Sequence, residues 1–461
     1  MITPTLRSST RPPKLSFAFA LFGLALALGA CHSDPSPKQT EPDSGPSKPD
    51  SGASKPDSGQ SKPDSGVTNF CDLPGSVRFT AAGTVTVTGA NTDKVSFLHL
   101  PVGYCVHYFG NVPNARQLRF APGGELFVAS PTTGTTGGGS GGKHAIIVLP
   151  DDNADGYGDA QTTFQDNLQS TQGLLFTTGY FYYQDGTKIM RVPYQSGDRA
   201  PSAAAQVMAD IQIYASPLHW PKALDQADDG TIYVGNGGDQ GETCIEPHPF
   251  HGGVLKLDGT MAGAPVAQGF RNPIAVRCER GKNLCFAAEL ARDYSATEGG
   301  REKLVPIRQG DDWGFPCCAT KDVPFPDAVA NVDCSHVASE DAAFLIGDTP
   351  FSFDFEPGKW PAPYTGAAFV PLHGAAGTWK GARLVAVAMD PSTGLPLPSD
   401  DLDGGTSTGG LADFASGYDD NQLAHGRPAA VTFAADGRLF LGNDNTGDIF
   451  WIAPLELPVS N

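Results

Sequence analysis

Three stretches decide the fold: Phe120 to Ser130 (FAPGGELFVAS), Ala227 to Asn236 (ADDGTIYVGN) and Phe433 to Asn443 (FAADGRLFLGN). Each is a turn with glycine at its tip, followed by a short alternating apolar strand. Fainter echoes occur at Asp185–Met190 (DGTKIM) and Val254–Gly259 (VLKLDG). A strand–turn–strand unit that recurs with insertions between its copies is how propeller blades are written. The echo reaches from residue 120 to residue 443, so one domain over 67–461 is expected rather than two. No stretch has helical periodicity. The expectation is an all-β, six-bladed β-propeller, with the strands near Leu439–Leu441 and Ile449–Ala453 closing the ring against the start of the domain.

Working outward, residues 42–66 repeat a seven-residue phrase, PDSGPSK, PDSGASK, PDSGQSK, PDSG. The repeat has no aromatic or β-branched residue and cannot bury enough surface to offset its ordering entropy. It reads as a pliable tether over 31–66. Ahead of it, Arg7, Arg11 and Lys14 precede an apolar run, Phe17 to Ala30, too short for a comfortable permanent span. Leu28-Gly29-Ala30-Cys31 resembles a bacterial lipobox, which implies a signal peptide over 1–30, lipidation of Cys31 and an exported, membrane-anchored protein.

Of nine cysteines, eight remain once Cys31 is set aside, an even number that suits an oxidising compartment. Cys278 and Cys285 flank a hairpin-like turn and are expected to pair. Cys71 with Cys105 is a further guess, and Cys244, Cys317, Cys318 and Cys334 allow three pairings. Without C-x-x-C or C-x-x-C-H, a zinc ribbon, a thioredoxin-type site and covalent haem are all unexpected. Removing the leader's three basic residues takes the formal charge from −19 to −22. Such a chain repels nucleic acid and touches membrane only through its lipid.

His219 lies in the loop Pro-Leu-His-Trp-Pro and Asp239 in Gly-Gly-Asp-Gln-Gly, one turn and one strand later. Folded back, the carboxylate would fix the imidazole tautomer and leave the other ring nitrogen as a base. Further along come Gly269-Phe-Arg271-Asn272-Pro, Trp313-Gly-Phe-Pro, His373-Gly with Lys380 after it, and Gly426-Arg427-Pro, preceded by Asn114-Ala-Arg116-Gln-Leu-Arg-Phe. This ordered set, from about Leu100 to Ile452, resembles the soluble quinoprotein sugar dehydrogenases, the glucose and sorbosone dehydrogenase family that uses pyrroloquinoline quinone (PQQ).

The resemblance implies a six-bladed propeller with the cofactor at one end of its channel. His219 is then the base, Asp239 its partner, and Arg271, Asn272, Lys380 and Arg427 cofactor contacts. Arg116 occupies a plausible pocket position. It also implies a calcium ion against the quinone, held by the carbonyls of Ala296 and Thr297 near Glu302. Arg301 stands where an Asp is usual, a departure from the family. The substrate would be an aldose or a related hydroxyl or aldehyde compound, and electrons would leave to an external acceptor. Independently, PQQ carries three carboxylates, and an acidic chain must gather cations to hold it.

Asp151, Asn153 and Asp155, followed by Gly156, suggest a surface calcium loop, although Thr162 replaces the closing Glu of an EF-hand. Two other readings of the chain stand beside the dehydrogenase. One is a propeller that binds carbohydrate or protein without redox chemistry. The other is a calcium-dependent lactonase-type propeller, for which the GxRNP and GRP blocks would have no task.

Overall fold

A computed structural model of the chain describes residues 68–132, 141–211, 219–238, 244, 252–258, 265–293, 300–328, 331–340, 342–375, 380–403, 406–418 and 425–459. All of them belong to the compact unit Gln60–Asn461, which separates from Met1–Gly59. Cys31, Asp239, Ala296 and Thr297 lie outside the described residues. Among the described residues there is no α-helix, only the short 3-10 turns Phe70–Asp72 and Thr92–Val95.

Six antiparallel blades form a ring, as the hairpin echo predicts. From its inner strand outward, the first blade is Gln117–Phe120, Leu126–Ser130, Ala145–Leu149 and Thr162–Gln165. The second is Leu174–Thr177, Tyr180–Asp185, Lys188–Pro193 and Gln206–Asp210. The third is Leu224–Gln226, Ile232–Asn236, Gly253–Leu257 and Pro265–Ala267. The fourth begins with Asn272–Glu279, Leu284–Leu290, Glu302–Pro306 and Ala342–Phe344, and is widened by the excursion Ser399–Asp403 and Thr406–Gly409. The fifth is Asp354–Phe355, Ala368–Leu372, Arg383–Val387 and Leu411–Ala415.

The sixth blade closes the ring. Pro428–Phe433, Leu439–Asn443 and Asp448–Pro454 come from the end of the chain, and Tyr104–Asn111 from its start pairs antiparallel with Asp448–Pro454. Val77–Thr80 and Gly83–Thr86 extend the same sheet outward. Cys71–Cys105 ties the 3-10 turn Phe70–Asp72 to the closing strand Tyr104–Asn111. Cys278–Cys285 links directly opposed residues of the fourth blade's first hairpin. The remaining pairs are Cys244–Cys317 and Cys318–Cys334.

The three full echoes are the first hairpins of blades one, three and six. In each, the backbone N–H of Ala121, Ala227 or Ala434 donates to the carbonyl four residues on, at 2.9, 2.8 and 2.8 Å. In each, the glycine before the returning strand has positive φ: 95° at Gly124, 89° at Gly230 and 100° at Gly437. That conformation costs a side chain about 1–2 kcal/mol, which is why the tip is glycine. The partial echoes belong elsewhere: Gly186 turns the second hairpin of its blade, and Val254–Leu257 is part of a third strand. Leu126–Ser130 and Leu439–Asn443 are buried throughout rather than alternating, because blades cover both their faces. Apolar clusters fill each of the six blade interfaces, for example Leu118, Val128 and Ile147 against Phe440 and Trp451 between the first and sixth blades.

All six inner strands run in the same direction. Residues just before them, and the turns linking second to third strands, therefore gather at one mouth of the channel. The far ends of the inner strands form the other. Arg277, fully buried, crosses between the two mouths. Its Nε donates to Phe353 O of the fifth blade at 3.2 Å, and Nη2 to Leu118 O of the first blade at 3.3 Å.

Candidate functional site

The N-terminal mouth collects most of the residues singled out from sequence. Arg116, Arg271 and Arg427 each immediately precede an inner strand, Asn272 begins one, and His219 approaches another. All five are buried. Lys380 lies on the turn between the second and third strands of the fifth blade, on the same face. It is exposed and lines a recess with Asp348, Arg383 and Asp413. Its carbonyl accepts the Ala375 N–H at 2.8 Å.

His219 sits 2.6 Å through Nδ1 from the carbonyl of Gly238. A carbonyl only accepts, so Nδ1 carries a proton. Asp239, the carboxylate expected beside this imidazole, lies outside the described residues. Gly237 threads between ring and amide: a Cβ there would meet His219 Cβ at 2.6 Å and Asn272 Oδ1 at 2.9 Å.

The Arg271-Asn272 turn is braced on several sides. Arg271 N donates to Glu289 Oε1 at 2.8 Å, its Nη2 contacts Asp293 Oδ2 at 2.6 Å, and its carbonyl accepts the Gly238 N–H at 2.7 Å. Glu289 is buried with Lys303, 3.4 Å away. Behind the turn, Trp313 N donates to Gln268 O at 3.0 Å and Phe315 N to Gly269 O at 2.8 Å. Gly269 has no room for a Cβ, which would fall 2.2 Å from Asp312 Oδ1. The GxRNP and WGFP blocks, far apart in the chain, thus form one support.

Around Arg427 the network is denser. Its Nε donates to His373 O at 2.7 Å and its Nη2 to Gly374 O. His373 Nε2 faces both oxygens of Asp444 at 3.0 Å, and Arg116 Nη1 lies 2.5 Å from Asp444 Oδ2. Phe351 stacks on His373 with centroids 4.1 Å apart, and the Arg116 guanidinium lies 4.1 Å from the Phe351 ring centre. Burial, reinforced by the Arg427 charge, pushes His373 down to about 4, so its ring is neutral at pH 7 and donates to Asp444. Burial alone would raise Asp444; His373 and the Arg116 and Arg427 charges reverse that and hold it below the usual carboxylate range.

Buried polar atoms at this mouth that have no hydrogen-bond partner among the described residues include Lys222 Nζ, Asn272 Oδ1, Thr171 Oγ1 and Gln172 Oε1. Burial pushes Lys222 down to about 7. Its segment is fixed, with Lys222 N donating to Gln184 Oε1 at 2.9 Å and its carbonyl pressed on Gly173. Sequence reasoning missed Lys222, Glu289 and Asp444. Asp444 had a signal, because it directly follows Asn443, the last residue of an echo, as Gly237 follows Asn236.

Glu302 anchors the fifth-blade approach. It is buried and accepts the N–H of Gly347 at 3.3 Å and that of Thr349. Burial holds its carboxyl well above the ordinary range. Among the described residues no three His, Cys, Asp or Glu side chains gather as a metal cluster. Asp151, Asn153 and Asp155 lie after the first blade's third strand, on the opposite face from this mouth. Asn153 Oδ1 accepts the Asp155 N–H at 3.0 Å, Asp155 Oδ1 accepts the Tyr157 N–H at 2.8 Å, and Asp151 faces Arg438 at 3.5 Å. Burial pushes Asp151 up to about 6.

The model of a domain of unknown function, DUF7133, matches residues 91–263. No curated protein matches the sequence. Among solved structures, the chain is similar to the PQQ domain of Coprinopsis cinerea pyranose dehydrogenase in its holo form. That match has 15% identity and a TM-score of 0.61, and covers 77% of this chain and 96% of that one. A calcium structure of the Trichoderma reesei carbohydrate-active enzyme family AA12 matches at 16% identity and TM-score 0.60, over 77% and 97% of the two chains. The PQQ-bound aldose sugar dehydrogenase of Streptomyces coelicolor matches at 17% and 0.50, over 77% and 100%. At these identities the likeness establishes the six-bladed propeller.

Proposed function

We propose that the protein is a PQQ-dependent oxidoreductase acting on an aldose or a related hydroxyl or aldehyde compound. The observation that carries this reading is the meeting at one mouth of His219, Arg116, Arg271, Asn272 and Arg427. The residues present fit the cofactor's chemistry. Among the described residues, Arg116, Arg271 and Arg427 stand against the carboxylates of Asp444 and Asp293, and Glu289 is matched by Lys303, leaving an excess of positive charge at the end of an acidic protein. Two groups at this mouth, Lys222 Nζ and Asn272 Oδ1, lack partners among the described residues, a costly state that a bound polar ligand relieves. The solved structures with PQQ in their descriptions share this ring.

In the reaction, His219 Nε2 takes the proton of the substrate hydroxyl as hydride leaves the same carbon. The Gly238 carbonyl keeps the proton on Nδ1 so that Nε2 remains the accepting atom. Arg427, tied to two carbonyls, and Arg116, tied to Asp444, hold their guanidinium groups without reorganisation when an anion arrives. Bound PQQ would supply the two-electron acceptor, and an external carrier would remove the electrons. Calcium at the carbonyls of Ala296 and Thr297, and Asp239 and Lys380 as further contacts, belong to the same proposal. So do export and lipidation at Cys31, which agree with four disulfides.

Reconstitution with PQQ, with and without Ca²⁺, followed by dye reduction over a panel of sugars, tests the reading. A quinone spectrum with sugar-dependent dye reduction is expected, and its absence would leave a binding propeller instead. Loss of palmitate labelling in Cys31→Ala tests the anchor.

A further inference from the structure

The opposite mouth of the channel carries a second cavity, of about 710 Å³. Its wall draws on all six blades at the far ends of the inner strands: Arg119, Phe176, Asp225, Glu279, Asp354 and Phe433. Arg277 separates it from the N-terminal mouth, so the two are distinct sites.

The charges in this wall are held. Arg119 pairs with buried Asp225, whose other oxygen accepts the Cys278 N–H at 3.0 Å. Asp354 is fixed by the Phe433 N–H at 2.9 Å and the Thr432 hydroxyl at 3.1 Å. Lys282 lies 2.6 Å from Glu279 Oε1, and Arg280 stands exposed 3.8 Å from Asp225. Three cations thus face four acids, and the fourth, Glu356, is taken up by the N–H groups of Gly358, Lys359, Trp360 and Gly366, so among the described residues no cation is left over for an anion and the carboxylates already have partners that offset a cation's pull. An apolar ligand would strip water from these seven charges without replacing its hydrogen bonds. Glu279 is 8% exposed, and its Oε2 has no hydrogen-bond partner among the described residues. A carboxylate oxygen in that state calls for a neutral donor such as a hydroxyl. Beside these groups the wall includes part-exposed Phe120 and Phe433, apolar surface for the C–H face of a ring.

We propose that this lower mouth binds a neutral oligosaccharide: hydroxyls to Glu279, Arg280 and Lys282, ring faces to the phenylalanines. It does not depend on the redox reading, because it uses none of the residues of the N-terminal mouth.

Isothermal titration of the protein without PQQ with cellobiose, xylobiose, maltose and chitobiose tests it. One of these disaccharides is expected to bind with a single site. In Arg280→Ala/Lys282→Ala, both side chains at least a third exposed, affinity should fall tenfold or more while the variant still unfolds cooperatively. Glu279→Gln should weaken binding as well, and His219→Ala should leave it intact. No heat with any of the four, or binding lost in His219→Ala and kept in the double variant, would overturn the proposal.

Discussion

Arg116 Nη1 and Asp444 Oδ2 lie 2.5 Å apart, both buried, and join the first blade to the sixth at the mouth where His219 stands. A pair sealed from water is weak evidence of net stability, but losing one member leaves the other charge stranded. Asp444→Asn should therefore destabilise the fold by about 3–5 kcal/mol and abolish PQQ binding. Arg116→Met/Asp444→Leu should recover most of the stability and none of the binding. Chemical denaturation with a parallel PQQ titration reads both.

Acid should act first through buried neutral histidines. Burial holds His373 and His107 at about 4, below the ordinary value near 6.5. For a histidine lowered by folding, stability is complete above the unfolded value and lost as pH falls from about 6.5 through 4. Each can cost up to roughly 3 kcal/mol by linkage. Asp444, depressed further, adds its loss only below about pH 4. Urea midpoints from pH 8 to 4 should fall mainly below 6.5, and His373→Gln should flatten part of that fall. A flat profile in the native protein would contradict the burial argument.

Lys222 gives the opposite expectation for a deletion. With its amine buried and pushed down to about 7, folding is penalised increasingly as pH drops from about 10.5 to 7. Lys222→Met should thus stabilise the protein without cofactor by on the order of 2–4 kcal/mol at pH 6.5 and by less at pH 10. It should also weaken PQQ binding. A less stable variant at pH 6.5 would mean that the amine already has a partner.

Gly237→Ala probes the packing of the base. The added Cβ needs the space of His219 Cβ and Asn272 Oδ1, so the ring must move. Turnover should fall by about 10- to 100-fold, because positioning errors near 1 Å cost that much. PQQ affinity should change far less. Stopped-flow dye reduction and a binding titration separate the two effects.

The ring was legible because its hairpin is local. A glycine with positive φ at 124, 230 and 437 and a dense apolar strand after it can be read from ten residues. The closing strand was foreseen for the same reason, since Asp448–Pro454 needs a partner for its free edge. The site was partly legible. Arg271 and Arg427 sit in turn phrases, and their place beside an inner strand follows from the phrase. The carboxylates that hold Arg271 and Arg116 were not legible, because Glu289, Asp293 and Asp444 are brought in by pairings 18 to 328 residues long that no spacing rule encodes.

The central claim is that one end of the channel is an anion-holding mouth built around PQQ. Titration of the protein with PQQ in the presence of Ca²⁺, followed by the quinone absorbance, tests it most directly. Saturable one-to-one binding is predicted, weakened at least tenfold in Arg427→Met and in Arg271→Met and preserved in His219→Ala. Absence of binding, or equal affinity in the arginine variants, would contradict it.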